Sequence, residues 1–305
     1  MSETASQRLP RAETAQPLTD QQIATYHEQG FLCPLDVLSP DEAAYHRGML
    51  ERLEGTFEGQ LAQPVGAYLR SSSHLATDVP LQIARDPRIL DRVESLIGPD
   101  ILLWGCEYFI KNARSRQIVS WHQDLTYWGM DGSDHEVTAW LALSPATSRS
   151  GCMRFVPGSH KHSLVPHSDT FAADNLLSRG QEIAVEVDEE DAVHAALAPG
   201  QMSLHHGRLF HASGPNVSDD RRIGLVMRFI RPDTPATGHN KDFAMLMRGA
   251  DRFGHRLNVM PPPGDFTPAK LALYEEVRLA QTSVLADGLE SADAMYRQTA
   301  EARHG

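Results

Sequence analysis

Helical spacing of apolar positions marks the two ends of the chain, and short apolar or alternating runs mark its middle. Near the start, Thr19 is a natural N-cap for a short amphipathic helix through Gln22, Ile23, Tyr26 and His27 that stops at Gly30. Phe31-Leu32 then begins a strand. Ser39-Pro40-Asp41-Glu42 combines a capping box with proline at the first helical position, which predicts a helix to about Leu53, ahead of Gly55. The stretch from Gly55 to Ser73 reads as loop or edge strand. Asp86-Pro87 opens a further helix, with Ile89, Val93, Leu96 and Ile97 on one face and Gly98-Pro99 as its stop. Thr267-Pro268 starts a last one carrying Leu271, Tyr274, Val277, Leu279 and Leu285.

Between these ends the texture is different. Ile101 to Ile110 is apolar and aromatic, and a basic loop, Lys111 to Arg116, separates it from a second run, Gln117 to His122. Glu136 to Leu143, Cys152 to Val156, Ile183 to Val187, Met202 to His206 and Arg222 to Ile230 follow, each bounded by Pro, Gly, Ser or Asp. Short strands with turn signals between them, and no long helices alternating with them, predict an antiparallel sandwich or jelly roll. The expected class is mainly β with flanking α: a double-stranded β-helix core, cupin-like, with N- and C-terminal helices. No linker divides the chain, so residues 19–305 are expected to form one domain with a helical C-terminal extension, after a disordered lead over 1–18. Beyond Gly288 the tail is polar and Ala-rich.

Composition narrows the partners. The 305 residues carry a formal charge of -12, which argues against a nucleic-acid backbone or an anionic membrane as the main partner and favours a small molecule. The three cysteines, Cys33, Cys106 and Cys152, form no CxxC pair and leave one thiol over in any disulfide scheme, as expected of reduced packing residues in a cytoplasmic protein. Residues 1–16 lack the apolar run of a signal peptide, and no stretch reaches the roughly 18 apolar residues of a membrane span. The sequence leaves the oligomeric state open.

Fifteen histidines make any single one uninformative, so candidate chemistry must come from context. Two His-x-Asp patterns occur, His122-Gln123-Asp124 and His167-Ser168-Asp169. The first directly follows the strand-like Ile118-Val119-Ser120-Trp121, where side chains two apart share a face and can meet one ion. The second lies in a polar stretch that reads as a surface loop. A further histidine would complete a two-His, one-carboxylate set, which leaves open positions on iron(II). His211 is the best partner, because Arg222 follows eleven residues on, past a turn at Gly214-Pro215. That places a guanidinium, a planar fork for a carboxylate, in the same barrel. Ser213, on the same strand face as His211, can add a hydroxyl. Arg221 would face the other way, so a one-residue slip would exchange the two arginines. His205 and His206 are expected to orient or pack near the site, and Arg154 with Pro157-Gly158-Ser159-His160 to form a structured turn near its mouth.

The chain resembles the phytanoyl-CoA dioxygenase family of iron(II)- and 2-oxoglutarate-dependent oxygenases over about Thr19 to Asp233. The resemblance rests on Trp121-His122-Gln123-Asp124, Ala139-Trp140-Leu141-Ala142-Leu143, Arg154-Phe155-Val156-Pro157-Gly158-Ser159-His160 and His211-Ala212-Ser213-Gly214-Pro215-Asn216 with Arg222. It implies that His122, Asp124 and His211 hold Fe(II), that Arg222 and Ser213 hold the distal carboxylate of the cosubstrate 2-oxoglutarate, that Trp140 lines its pocket, and that O2 is consumed. With Asp124 in the carboxylate position no site opens for chloride, so hydroxylation is expected over halogenation. No side-chain catalyst beyond the metal ligands is expected. The expected reaction is hydroxylation of an unactivated C–H bond of a small polar metabolite or natural product. Desaturation, cyclisation or demethylation by the same cofactor chemistry is the alternative, and a cupin-like metal-binding isomerase or sensor a second. Gln117, Lys111, Tyr127 and Trp128 are the candidate substrate contacts.

Overall fold

The structure is a computed structural model that describes residues 17–130, 134–170, 172, 174–177, 181–236 and 242–285. In chain order the elements are α1 (Asp20–Gln29), β1 (Phe31–Asp36), α2 (Pro40–Phe57), α3 (Val65–Leu69), α4 (Ser73–Ala76), α5 (Val79–Ala84), α6 (Pro87–Ile97), β2 (Ile101–Lys111), β3 (Val119–His122), β4 (Glu136–Ala142), β5 (Met153–Phe155), β6 (His167–Asp169), β7 (Gln181–Ile183), β8 (Val193–Ala195), β9 (Gln201–His205), β10 (His211–Ser213), β11 (Arg222–Ile230), β12 (Phe243–Arg248), β13 (Leu257–Asn258) and α7 (Pro268–Leu285).

Both predicted N-caps form, each as a capping box. Thr19 Oγ1 accepts from the backbone of Gln22, and Ser39 Oγ from that of Glu42, while each partner side chain reaches back to the cap. Gly30 ends α1 in the left-handed region at φ 83°, and its Cα approaches His160 too closely for a Cβ. Two expectations need correction. α2 runs through Gly55 to Phe57, because an exposed helical glycine costs only about 1 kcal/mol and does not by itself stop a helix. The stretch 55–73 holds no strand: turns and loop over 58–64 and 70–72 flank the short helix α3, of which Val65, Tyr68 and Leu69 bury one face. On α7, Tyr274 and Val277 are buried, whereas Leu279 is 61% exposed. The lead over 1–16 and the tail beyond Gly288 lie outside the described residues. Leu18, at the end of the expected lead, is buried, and its N–H is donated to Ser95 Oγ at 3.0 Å.

Two sheets face each other. The larger has the order β1-β9-β4-β11-β2-β12-β13, and the smaller β3-β10-β5-β8. Every residue of β11 is buried, because both of its faces are covered. Period 2 divides them. Ile223, Leu225, Met227 and Phe229 join the large core with residues of the flanking helices, such as Leu50, Leu69, Ile89 and Val277. Arg222, Val226 and Arg228 point the other way, into a cavity that Val119, Met153, His211, Ala212 and Ser213 of the small sheet also line. The jelly roll therefore has one apolar core outside the large sheet and a polar chamber between the sheets.

A bulge adjusts the far end of that chamber. Arg228 pairs with Gly105 but Phe229 pairs with Leu103, so Trp104 is an extra residue in β2. The parity change lets Leu102 and Trp104 pack with Ile230. β6 and β7 form a separate two-stranded ribbon, so His167-Ser168-Asp169 is strand and not loop, and the expected run Ile183 to Val187 is displaced to Gln181–Ile183.

Gly224 marks a close approach. A Cβ there would lie 2.0 Å from Trp140 Cζ2 and force the indole out of its place. Gly224→Ala is expected to destabilise the fold by about 1–3 kcal/mol through overpacking. Gly55→Ala, in an exposed helix interior with nothing within 4 Å, should stabilise it by about 0.5–1 kcal/mol. Denaturant titration of the two variants would show opposite signs, and equal shifts would refute the packing account.

Candidate metal centre and carboxylate pocket

His122 ends β3 and His211 begins β10, and the two residues are cross-strand partners. Asp124 follows at the start of a 3-10 turn over Asp124–Tyr127, which curls its carboxylate back over the histidines. The ligand atoms of His122, Asp124 and His211 lie within 4.8 Å of one another. His122 Nε2 is 3.3 Å and His211 Nε2 3.9 Å from Asp124 Oδ1.

Backbone carbonyls set the direction of both rings. His122 Nδ1 lies 2.9 Å from the Ser120 carbonyl oxygen, and His211 Nδ1 lies 2.9 Å from that of Leu209. Each Nδ1–H is donated, which leaves each Nε2 lone pair directed at the shared point, as metal-binding histidines require. Thr138 donates to Asp124 Oδ2 at 3.4 Å. Burial raises the Asp124 carboxyl, but the close approach of the His122 and His211 rings and of the Arg228 guanidinium outweighs it and holds the group well below the usual carboxylate range. Burial, then His122 beside it, keeps His211 neutral. Two imidazoles and one carboxylate, almost out of water, suit a divalent cation of intermediate softness.

The second His-x-Asp supports the first without joining it. His167 Nε2 accepts the N–H of Gln123 at 3.1 Å. Gln123 is itself buried: its Oε1 accepts from Val165 N at 2.8 Å and its Nε2 donates to the Arg208 carbonyl at 2.9 Å, clamping two passing segments to the turn.

Arg222 is 1% exposed, while Arg221 points outward to a bidentate pair with Glu54. The predicted register is therefore the observed one. Asp219 and Asp220 are taken by Arg114 and Arg47. Arg222 Nη1 donates to the Gly151 carbonyl at 2.8 Å, and Nε and Nη2 are buried without a partner. Its guanidinium carbon lies 5.3 Å from the centre of Trp140, a cation–π contact. Lys111, expected in a basic loop, instead ends β2 opposite Arg222 and is 0% exposed. The correction follows from β2 extending one pair further than its apolar run. Lys111 Nζ donates to Ser213 Oγ at 2.7 Å, to the Ser213 carbonyl at 3.2 Å and to that of Gly214 at 2.5 Å. Burial, then Arg222 nearby, pushes the amine down to about 6.

The structure thus brings together His122, Asp124, His211, Ser213, Trp140 and Arg222 around one cavity, with Lys111 against Ser213. It does not bring Gln117 or Trp128 there. Gln117 pairs with Ser115, and Trp128 is buried against Trp104 at 5.1 Å between ring centres. The side chain of Tyr127 lies outside the described residues. Arg154 does form a pair with Glu189, at 2.6 Å, above Trp121. His205 lines the cavity with its Nδ1 unpartnered, and burial lowers it to about 4, while His206 lies 3.1 Å from Glu136. Arg228, Thr138 and Phe109 also line the cavity and were missed. Arg228 could have been found from its even spacing to Arg222.

A jelly roll holding two histidines and one aspartate in the wall of a cation-lined cavity defines a class, the non-haem metal oxygenases. The chain belongs to the phytanoyl-CoA dioxygenase family, whose model matches residues 26–224. Among curated proteins it is similar to the "Probable alpha-ketoglutarate-dependent hypophosphite dioxygenase" of Stutzerimonas stutzeri, with 28% identity over 57% of this chain and 62% of that one. It is also similar to the ectoine dioxygenase of Streptomyces avermitilis, with 26% identity over 85% and 90%. The chain therefore spans about three fifths of the first relative's length and nearly all of the second's. Among solved structures, the non-heme monooxygenase ThoJ in its apo form matches at TM-score 0.78 and 32% identity, covering 87% of this chain and 98% of that one.

A divalent ion that binds only the folded protein must raise its stability, by about 2.7 kcal/mol at a hundredfold excess over the dissociation constant. Added Ni(II) should raise the thermal midpoint of the unaltered protein and leave that of Asp124→Ala unchanged. An equal rise in both would place the ion elsewhere.

Proposed function

We propose that this protein is an iron(II)- and 2-oxoglutarate-dependent hydroxylase acting on an unactivated C–H bond of a small polar molecule. One observation carries the reading. Arg222 is a buried guanidinium with no carboxylate beside it among the described residues, and Ser213 on the adjoining cavity wall lies two residues from His211, about 7 Å along a strand. That is a seat for one end of a short dicarboxylate whose other end reaches the metal. His122, Asp124 and His211 would hold the iron, and the free Nε and Nη2 edge of Arg222 would take the distal carboxylate of the cosubstrate.

When bound, iron(II), 2-oxoglutarate and O2 supply the oxidising chemistry, with succinate and carbon dioxide as coproducts. The chain's own residues orient and exclude. Trp140 stacks on Arg222 and keeps its fork turned to the cavity. Ser213 Oγ, already accepting from Lys111, has its own proton to donate to a carboxylate. Thr138 fixes one oxygen of Asp124, so that the other faces the histidines. The reaction needs no side-chain general base, so neither His205, neutral through burial, nor Glu136, engaged with Gly207 and His206, is given that role. Asp124 supports oxygen insertion over halogenation, because the carboxylate occupies the position a halide would need. A metal-binding isomerase or sensor would leave Arg222 without a task.

Succinate formation with Fe(II), 2-oxoglutarate and a substrate panel is the direct assay, and product mass separates hydroxylation from desaturation or cyclisation. No turnover, coupled or uncoupled, together with unchanged iron binding in His122→Ala, would overturn the oxygenase reading. Arg222→Gln should weaken 2-oxoglutarate by about 2–4 kcal/mol and iron far less. A pH test follows from Lys111. Its amine, near 6 when the pocket is empty, is mostly neutral at pH 7.5, and an entering carboxylate raises it, so binding must take up a proton. Calorimetry at pH 7.5 in two buffers of different ionisation heat should show net uptake, and the cosubstrate's affinity should fall as pH rises above 7. Zero uptake would mean that Lys111 is already charged.

A further inference from the structure

Arg228 is the inward-facing cation of β11 to which the reading above gives no task. It stands six positions on from Arg222, so the two share a face and lie about 20 Å apart along the strand. Its cross-strand partner is Thr138, the residue that donates to Asp124, so Arg228 lies at the metal end of the cavity and not at the Arg222 end. It is 9% exposed.

Its donors repeat the pattern of Arg222. There, Nη1 is satisfied by the Gly151 carbonyl, and the Nε and Nη2 edge is free for the cosubstrate. In Arg228, Nη1 is satisfied by Glu107, Nε is buried without a partner, and no described residue hydrogen-bonds Nη2. The free edge is again the planar fork that matches a carboxylate or phosphonate. The fork is also held. Arg228 lies 5.1 Å from the centre of the Trp128 ring, Trp128 packs on Trp104, and Trp104 Nε1 donates to Asp242 at 2.9 Å. Asp242 is fixed in turn by Arg256 at 2.8 Å. The bulge in β2 is what aims Trp104 into this stack. A merely structural Glu107–Arg228 pair would need neither the free fork nor the stack, since apolar residues replace buried pairs without loss in many cores.

We propose that Arg228 is the substrate anchor, and that the molecule oxidised carries a carboxylate or phosphonate seated on its Nε and Nη2 edge, with the reacting carbon turned towards the metal. This rests on the oxygenase reading and adds the class of substrate to it. Trp128, set aside as a direct contact, acts through Arg228 as a positioning residue.

The test uses the intact protein with Fe(II) and 2-oxoglutarate under argon, titrated with a panel of amino acids, small monocarboxylic acids and their phosphonate analogues, each paired with its neutral amide or ester. At least one anion should bind, its neutral counterpart at least about tenfold more weakly. Arg228→Gln should remove that preference, and Arg228→Lys, which keeps the charge without the fork, should restore it in part. Preference for carboxylates or for phosphonates identifies the group. The anchor is overturned if neutral counterparts bind as well as the acids, if Arg228→Gln binds them as the unaltered protein does, or if no anion binds to protein that holds iron and 2-oxoglutarate. Failure to hold iron and 2-oxoglutarate would instead overturn the oxygenase reading. Should Arg228→Gln not fold by circular dichroism, Glu107→Gln serves: it leaves the fork in place and must keep the preference for the anion, and loss of that preference overturns the proposal.

Discussion

A guanidinium 1% exposed, with no carboxylate beside it among the described residues, is the constraint on which the rest of this molecule depends. Removing such a charge from water is costly unless something compensates, and here the described residues offer one carbonyl and the face of an indole. The surrounding residues follow from that deficit. Gly224 gives up its side chain so that Trp140 can reach Arg222. Lys111 is turned onto Ser213 and Gly214 instead of onto a counter-ion. The pocket is therefore built incomplete, and the apolar core on the other face of β11 supplies the stability that lets it remain so.

The same alternation explains why so much was legible in the chain and where legibility ended. The caps at Thr19 and Ser39 and the stops at Gly30 and Gly98 are local chemistry, and they set helix ends where the sequence places them. His122 and Arg222 could be placed because strand parity acts over two or three residues, whereas Asp124 meets them from the 3-10 turn that follows β3. Lys111 could not, because its burial depends on how far β2 pairs with β11, a tertiary fact. The inward turn of Trp104 depends on a one-residue bulge that no run of letters announces. Helices α3 to α5 were missed for a different reason: each is six residues or fewer, too short for a period to repeat, and their order comes from packing.

Supporting shells were the least visible part of the site. Gln123 lies between the two residues proposed as ligands and reads as a spacer, yet its side chain ties together the segments at 163–165 and 208. His167 belongs to the pattern rejected as a second metal motif, and it serves the first by accepting the Gln123 N–H. Such roles are specified by three-dimensional neighbours, so the residue type alone carries little of the signal.

The pairing of His211 with His122 has a consequence for how the protein is made. The small sheet joins strands 89 positions apart (211 − 122), and closing a loop of that length is an entropic debt that short strands of three and four residues repay poorly by themselves. With the proposed ligands on both strands, an ion would act as a fastener across them. The small sheet would then close last and open first, and newly made chains would reach their final form at a rate set by the supply of metal as much as by their own sequence.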